Sequence, residues 1–324
     1  MDIPPKRVRS TYPALRVERR RGRSRRRTAL IAILVAGLAG GVVGSAAIAT
    51  DTLGAGHLYE RLLAKVDRLL AGPPPPDRST EPTVVVTPEP DSPAPSPTPT
   101  VALASGRVPP SVGPTPTPIP RVAVDVDIVQ DHDAVFASEI RDTWCAPAGV
   151  TIVLAIMGKG APTNARETEI AGRIHEWETY ADSHNYEWGP SAMVKALKAY
   201  GVPGYQVRAY ETRADALRGA AKAISMTRSP AILVAWYGAH TWVMSGYRAN
   251  ADPSVFDDAR VSGTYILDPW YPRISSIWGP SDPPGTFQNT SEMLRNFLPW
   301  KRPEGIYPAR DGNFIVVVPT IPRP

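Results

Sequence analysis

The apolar and polar positions divide the chain into stretches of different character. From Thr28 to Thr50 there are 23 residues without a charged side chain, Leu30, Ile31, Ile33, Leu34, Val35, Leu38, Val42 and Val43 among them. At 1.5 Å rise per residue a helix of that length crosses a bilayer core. Tyr59, Leu63, Val66 and Leu70 fall at helical spacing and predict a short stalk helix within residues 51–72. Val122, Val124, Val126 and Ile128 alternate with polar residues, the pattern of a half-buried strand. An apolar helix starts near Cys145 and runs through Val150, Ile152, Val153, Leu154 and Ile156 to Gly158. Further helices are predicted over Ala165 to Asp182, from Pro190 to Gly201, and over Arg213 to Ile224, with Pro190 suited to a first turn. Then the period changes. Ala231–Trp236, Thr241–Tyr247, Val261–Leu267 and Phe314–Val318 are rich in β-branched and aromatic residues and read as strands. Helices first and strands after predict one α+β domain over 121–324 with its layers segregated.

Composition changes the picture in two places. The chain of 324 residues has 37 prolines, and 17 of them lie in residues 73–120 among Ser, Thr and Val. That stretch predicts a disordered, extended spacer, reaching on the order of 150 Å at about 3.1 Å per residue. The net charge of +5 is uneven: residues 1–27 hold eleven Lys or Arg and two acids, so the remainder is mildly acidic. A basic tail abutting an apolar run reads as the cytoplasmic flank of a membrane segment, with everything after Thr50 outside, and argues against nucleic acid as partner. The expectation is a single-pass anchor over 28–50. A secreted chain is the alternative, because Ala47-Ile48-Ala49 has the form of a signal-cleavage site and Ser24-Arg25-Arg26 resembles part of a twin-arginine signal.

The chemistry-bearing residues are few. One cysteine permits no intramolecular disulfide. Cys145 opens an apolar helix in Thr143-Trp144-Cys145-Ala146-Pro147-Ala148-Gly149, where the helix dipole and free N–H groups favour a thiolate. A small buried apolar cysteine is the equal alternative on position alone. Of five histidines, His57, His132, His175 and His184 lie in polar surroundings, whereas His240 heads an apolar strand in Gly238-Ala239-His240-Thr241-Trp242. Asp268 ends another apolar strand before Pro269-Trp270; it either opens a turn or orients an imidazole, if the two strands pair. No Cys/His cluster has metal-ligand spacing and no glycine loop follows a strand, so neither metal nor cofactor is expected.

Cys145-Ala146-Pro147-Ala148 opening a helix, Gly-Ala-His-Thr-Trp-Val-Met-Ser-Gly-Tyr on a strand over 238–247, then Tyr-Ile-Leu-Asp-Pro-Trp over 265–270, in that order, resemble the bacteriocin-processing (double-glycine leader) peptidase-like family. The resemblance covers about residues 125–320, and Gly189-Pro190 with Gly201 fits the family's middle segment. It implies a papain-like cysteine-peptidase fold, with Cys145 as nucleophile, His240 as base and Asp268 fixing the imidazole tautomer. Two positions depart from the family pattern. Ala146 stands where Gly is usual, and Glu139 where a Gln helps to bind the oxyanion; a carboxylate there repels an oxyanion unless protonated. The functional expectation is an exported, membrane-tethered thiol hydrolase acting on a peptide or amide bond. The alternatives are an inactive module of the same fold binding peptide or cell-surface polymer, and a thiol acyltransferase. Trp144, Trp242 and Trp270 are candidates to line the cleft, with core packing as their other reading.

Overall fold

Strands buried on both faces need apolar residues at every position, and Phe314-Ile315-Val316-Val317-Val318 supplies them. In the computed structural model, which describes residues 81–87, 119–177, 188–301 and 307–323 and the single residue Val66, this run lies inside an eight-stranded sheet. The chain order is β1 (Thr83–Val86), β2 (Val124–Asp127), α1 (Cys145–Ile156), α2 (Asn164–Gly172), α3 (Ile174–Trp177), α4 (Pro190–Ala199), β3 (Tyr205–Tyr210), α5 (Arg213–Thr227), β4 (Ala231–Ala235), β5 (His240–Ala249), β6 (Val261–Leu267), β7 (Ile274–Ser275), β8 (Gly279–Pro280), β9 (Thr286–Asn289), α6 (Thr290–Asn296) and β10 (Phe314–Pro319). The fold is α+β, as expected. The sheet runs β1-β3-β10-β4-β5-β6-β9, with β2 also paired to β5 and β7–β8 forming a separate hairpin. All pairs are antiparallel except β1 with β3. The predicted tail (1–27), the uncharged run 28–50 and, apart from Val66, the stalk (51–72) lie outside the described residues. Among the described residues no helix is long and apolar enough to cross a membrane.

Two expectations change. Thr83–Val86 falls inside the stretch read as a spacer, yet it is a strand, in register from Thr83 opposite Val207 to Val86 opposite Tyr210. Four consecutive β-branched residues without a proline can extend a ladder that the flanking Pro82 and Pro88 would break. Arg310, fully buried, donates from Nε to Thr83 Oγ1 at 2.9 Å. The domain therefore recruits residues well before 121. The segregated layers also give way to helices on both faces of the sheet. Alternate strand residues divide between two cores: Val207, Ile232, Val234, Val243, Ile315 and Val317 pack with α1 and α4. Leu233, Trp242, Met244, Phe314, Val316 and Val318 pack with α5 and the end of α6. The physical cause is the period of two: a strand apolar at every position has two faces to cover.

The site is positioned by β4, β5, β6 and α1. The hairpin β4–β5 closes with Ala235 opposite His240, and β6 runs back along the other edge of β5, Leu267 opposite Val243. The start of β5 and the residue after β6 are thus neighbours. α1 lies across β5 at Gly149, where a Cβ would come within 2.6 Å of Thr241 Cγ2. A glycine at that helix position is what allows Cys145 to approach His240.

Candidate active site

Cys145 is the first residue of α1, after Trp144 as N-cap. The residue is half-buried at the mouth of a small cleft of about 40 Å³, whose other walls include Trp188, Gly189, Pro190, Met193 and His240. Its Sγ lies 4.0 Å from the Ala239 carbonyl oxygen. Residue by residue, the cleft is shaped from the N-terminus of α1, the N-terminus of α4 and the β4–β5 turn.

His240 is held from two directions. Its Nε2 is 2.6 Å from Asp268 Oδ1, and that oxygen also accepts the backbone N–H of Trp270 at 2.9 Å. The ring is nearly sealed, its side chain 2% exposed. A ring nitrogen of His240, Cys145 Sγ and a carboxylate oxygen of Glu139 all lie within 4.8 Å of one another. With Nε2 bonded to Asp268, Nδ1 is the nitrogen left to serve the thiol, and the carboxylate selects the tautomer that leaves it so. The structure therefore brings together Cys145, His240, Asp268 and Glu139 from four separate stretches of sequence. Sulfur, nitrogen and oxygen donors in one place are also the kinds that transition metals take, a grouping that ligand spacing along the sequence does not signal.

Glu139 is fixed by its backbone. Its N–H donates to the Pro269 carbonyl at 2.9 Å, and its own carbonyl accepts Arg273 Nη2 at 2.9 Å. Ser138 Oγ donates to the Tyr271 carbonyl at 2.6 Å, and Ile140 N–H donates to Glu167 Oε1 at 2.8 Å. Residues 138–140 are thereby clamped to the loop that follows Asp268. The Glu139 side chain is fully enclosed, and neither carboxylate oxygen has a hydrogen-bond partner. Arg273 Nη1 stands 3.7 Å from Oε1, an ion-pair separation beyond hydrogen-bond reach, and is committed to Asp142 at 2.5 Å. Burial holds the Glu139 pKa well above the carboxylate range; Arg273 opposes the shift, and Asp268, Asp142 and Glu167 add to it. Burial of a carboxyl group so placed favours the protonated form, the one that can donate a hydrogen bond. The electrostatic objection read from its sequence position applies only to the ionised form.

Burial also pushes the Cys145 thiol up; ionised Glu139 would add to the effect, and hydrogen bonds from Thr241 oppose it. The helix N-terminus is thus outweighed, and a lone thiolate is disfavoured. A nearby positive charge would favour the thiolate, and the His240 ring stands within 4.8 Å of Sγ. Glu167, buried behind the same segment, is raised to about 7 by burial, with the Ile140 N–H bond opposing.

None of the three expected tryptophans lines the cleft. Trp242 faces the opposite core, because it alternates with Thr241 and Val243 on β5. Trp144 lies under the Arg141 guanidinium, 4.8 Å from its ring. Trp270 is buried edge-on to His240 at 6.5 Å. The tryptophan in the cleft is Trp188, and another, Trp236, stacks on His240 at 3.9 Å. Neither stands in a motif that names a role; only the strand-turn position of Trp236, four residues before His240, could have drawn attention to it.

No family model matches the chain, and no curated relative does. Among solved structures, the chain is similar to a double-glycine motif protease from an AMS/PCAT transporter, solved in complex with the leader peptide. The two share 15% identity over 57% of this chain and 91% of the other, with a TM-score of 0.29. The chemistry of the present chain rests on the side chains just described.

Proposed function

We propose that the domain is a cysteine peptidase-like hydrolase of papain-like fold, acting on a peptide or amide bond. One observation carries this reading: His240 is fixed by Asp268 through Nε2, while Cys145 stands beside the ring at the mouth of a cleft. Transfer of the thiol proton to Nδ1 makes a thiolate–imidazolium pair. Sulfur attacks the carbonyl carbon, the imidazolium protonates the departing amine, and water then hydrolyses the thioester with His240 as base. Protonated Glu139 faces the same atoms as a hydrogen-bond donor for the oxyanion, the task that a side-chain amide would perform. The substrate is a peptide, or an amide-bearing polymer at the cell surface. The charge pattern over 1–50 supports a membrane tether with the domain outside the cytoplasm.

A second reading, a binding module without turnover, is favoured by one observation: burial opposes ionisation of the thiol. Labelling of the intact protein with a thiol-reactive electrophile across pH 4–9 separates the two. A catalytic pair labels rapidly near neutrality, and His240→Ala removes most of that rate. A thiol that stays unreactive up to pH 9, with or without His240, would overturn the enzyme reading.

A further inference from the structure

The turn between β4 and β5 is built from unusual residues. Trp236 and Tyr237 have φ of 52° and 61°, and Gly238 has φ of 97°. A tight hairpin turn asks for left-handed backbone, but glycine or asparagine meets that demand without steric cost. Two successive bulky aromatics there are backbone outliers, so the ring of at least one is required for something other than the turn. The left-handed backbone delivers the Trp236 indole flat against His240, with centroids 3.9 Å apart and planes 17° apart. The indole Nε1–H donates to Asn296 Oδ1 at 3.1 Å, which fixes the ring plane. Trp278 also stacks on the indole, at 5.6 Å and 8°. Lys301 N–H bonds the Tyr237 carbonyl at 3.1 Å and holds the turn itself.

We infer that Trp236 is a positioning residue for His240: its indole face sets the imidazole plane and stabilises the imidazolium that pairs with the Cys145 thiolate. The inference rests on the hydrolase reading. Asp268 restrains one nitrogen but leaves rotation about the Asp268–Nε2 axis open; a flat aromatic face removes that freedom. The face also attracts a cation. This matters here because a nearby positive charge favours the thiolate that burial opposes. The other groups near the pair are Asp268, Glu139 and, beyond it, Arg273. Backbone strain held at a turn and expressed in the placement of one ring is the form that strain takes at functional sites.

The test uses the full chain with Trp236→Leu, Trp236→Phe, Asn296→Leu and His240→Ala. The readouts are the Cys145 labelling rate across pH and the NMR shifts of the His240 ring protons. In the wild type those protons should lie upfield, from the ring current of the stacked indole, and Trp236→Leu should return them to ordinary positions. Labelling at pH 7 should fall about tenfold in Trp236→Leu, a loss equal to one ordinary desolvated cation–π contact. Trp236→Phe, which keeps an aromatic face, should recover much of it. Asn296→Leu, which keeps the indole but frees its plane, should fall between, and it decides the matter if Trp236→Leu does not fold. Wild-type labelling in both Trp236→Leu and Asn296→Leu, with His240→Ala inert, would overturn the role of Trp236 alone. Wild-type labelling in His240→Ala would overturn the hydrolase reading and this inference with it.

Discussion

The two sides of the cleft are built in opposite ways. On the sheet side, His240 and Asp268 are hydrogen-bonded to each other, and the Asp268 oxygen takes a second bond from the Trp270 N–H. On the helix side, Glu139 is enclosed with neither oxygen hydrogen-bonded, and the Cys145 thiol beside it is pushed up by burial. A buried polar group without a partner costs roughly 1–3 kcal/mol, more when charged. The sheet side is therefore preorganised, and the helix side disfavours charge on its polar groups. The contrast assigns separate tasks. The sheet fixes geometry, and the helix side decides where the protons are.

The largest expected effect tests the sheet side. Asp268→Asn keeps the shape but favours the wrong imidazole tautomer, so hydrolysis of an activated peptide or thioester should fall by about 10⁴. Its melting temperature should stay near that of the wild type; a collapse instead would make Asp268 a fold residue and erase the contrast. On the helix side, Glu139→Leu removes the donor and should lower turnover at pH 7 by about 10²–10³. Glu139→Gln should remain within about tenfold of wild type there and should lack the fall in activity at high pH that ionisation of Glu139 causes. Equal rates for Leu and Gln would show that Glu139 donates nothing to the reaction.

Smaller effects concern stability. Gly149→Ala forces a Cβ onto Thr241 and should cost about 1–3 kcal/mol, measured by denaturant melts. Because it separates α1 from β5, Cys145 labelling should slow as well. The raised Glu139 pKa means that the folded protein binds this proton more tightly than the unfolded chain, whose pKa is near 4.5. Stability from that proton is present below the unfolded pKa and is lost as pH rises above it. Glu139→Gln should thus melt about 3 °C or more above wild type at pH 8 and show little gain at pH 4. A gain that does not change with pH would mean that Glu139 does not titrate in this way.

Much of this arrangement is legible along the chain, for identifiable reasons. The helix that begins at Cys145 is announced by Pro147 in its first turn and an unbroken apolar run, and it spans Cys145–Ile156. Pro190 opens α4, and Thr212 with Asp215 caps α5. The helix expected over 165–182 instead pauses at Arg173, with Ile174–Trp177 as a separate turn and 178–182 outside the described residues. His240 and Asp268 could be singled out because each ends an apolar strand, where a polar residue is conspicuous. What the sequence conceals depends on packing partners far away. Glu139 is polar in a polar stretch, and only its enclosure beside the loop around Arg273 raises its pKa. Trp242 looks like its neighbours in a motif, yet strand alternation turns it from the cleft, while Trp188 reaches the cleft from the start of another helix. The β1 strand is hidden by the prolines around it.

That strand has a consequence for how the domain can be shed. β1 is joined to the rest of the domain through residues 88–118 and held at the sheet edge by four paired residues and the Arg310–Thr83 bond. If a protease cut the stretch 88–118, covalent continuity would be lost while the β1 pairing and the Arg310–Thr83 bond would still join the N-terminal piece to the sheet. Release would then take two events, a cut and a peeling of β1 from β3. The second would be reversible and concentration-dependent, so a nicked protein is expected to behave as a split one that can rejoin.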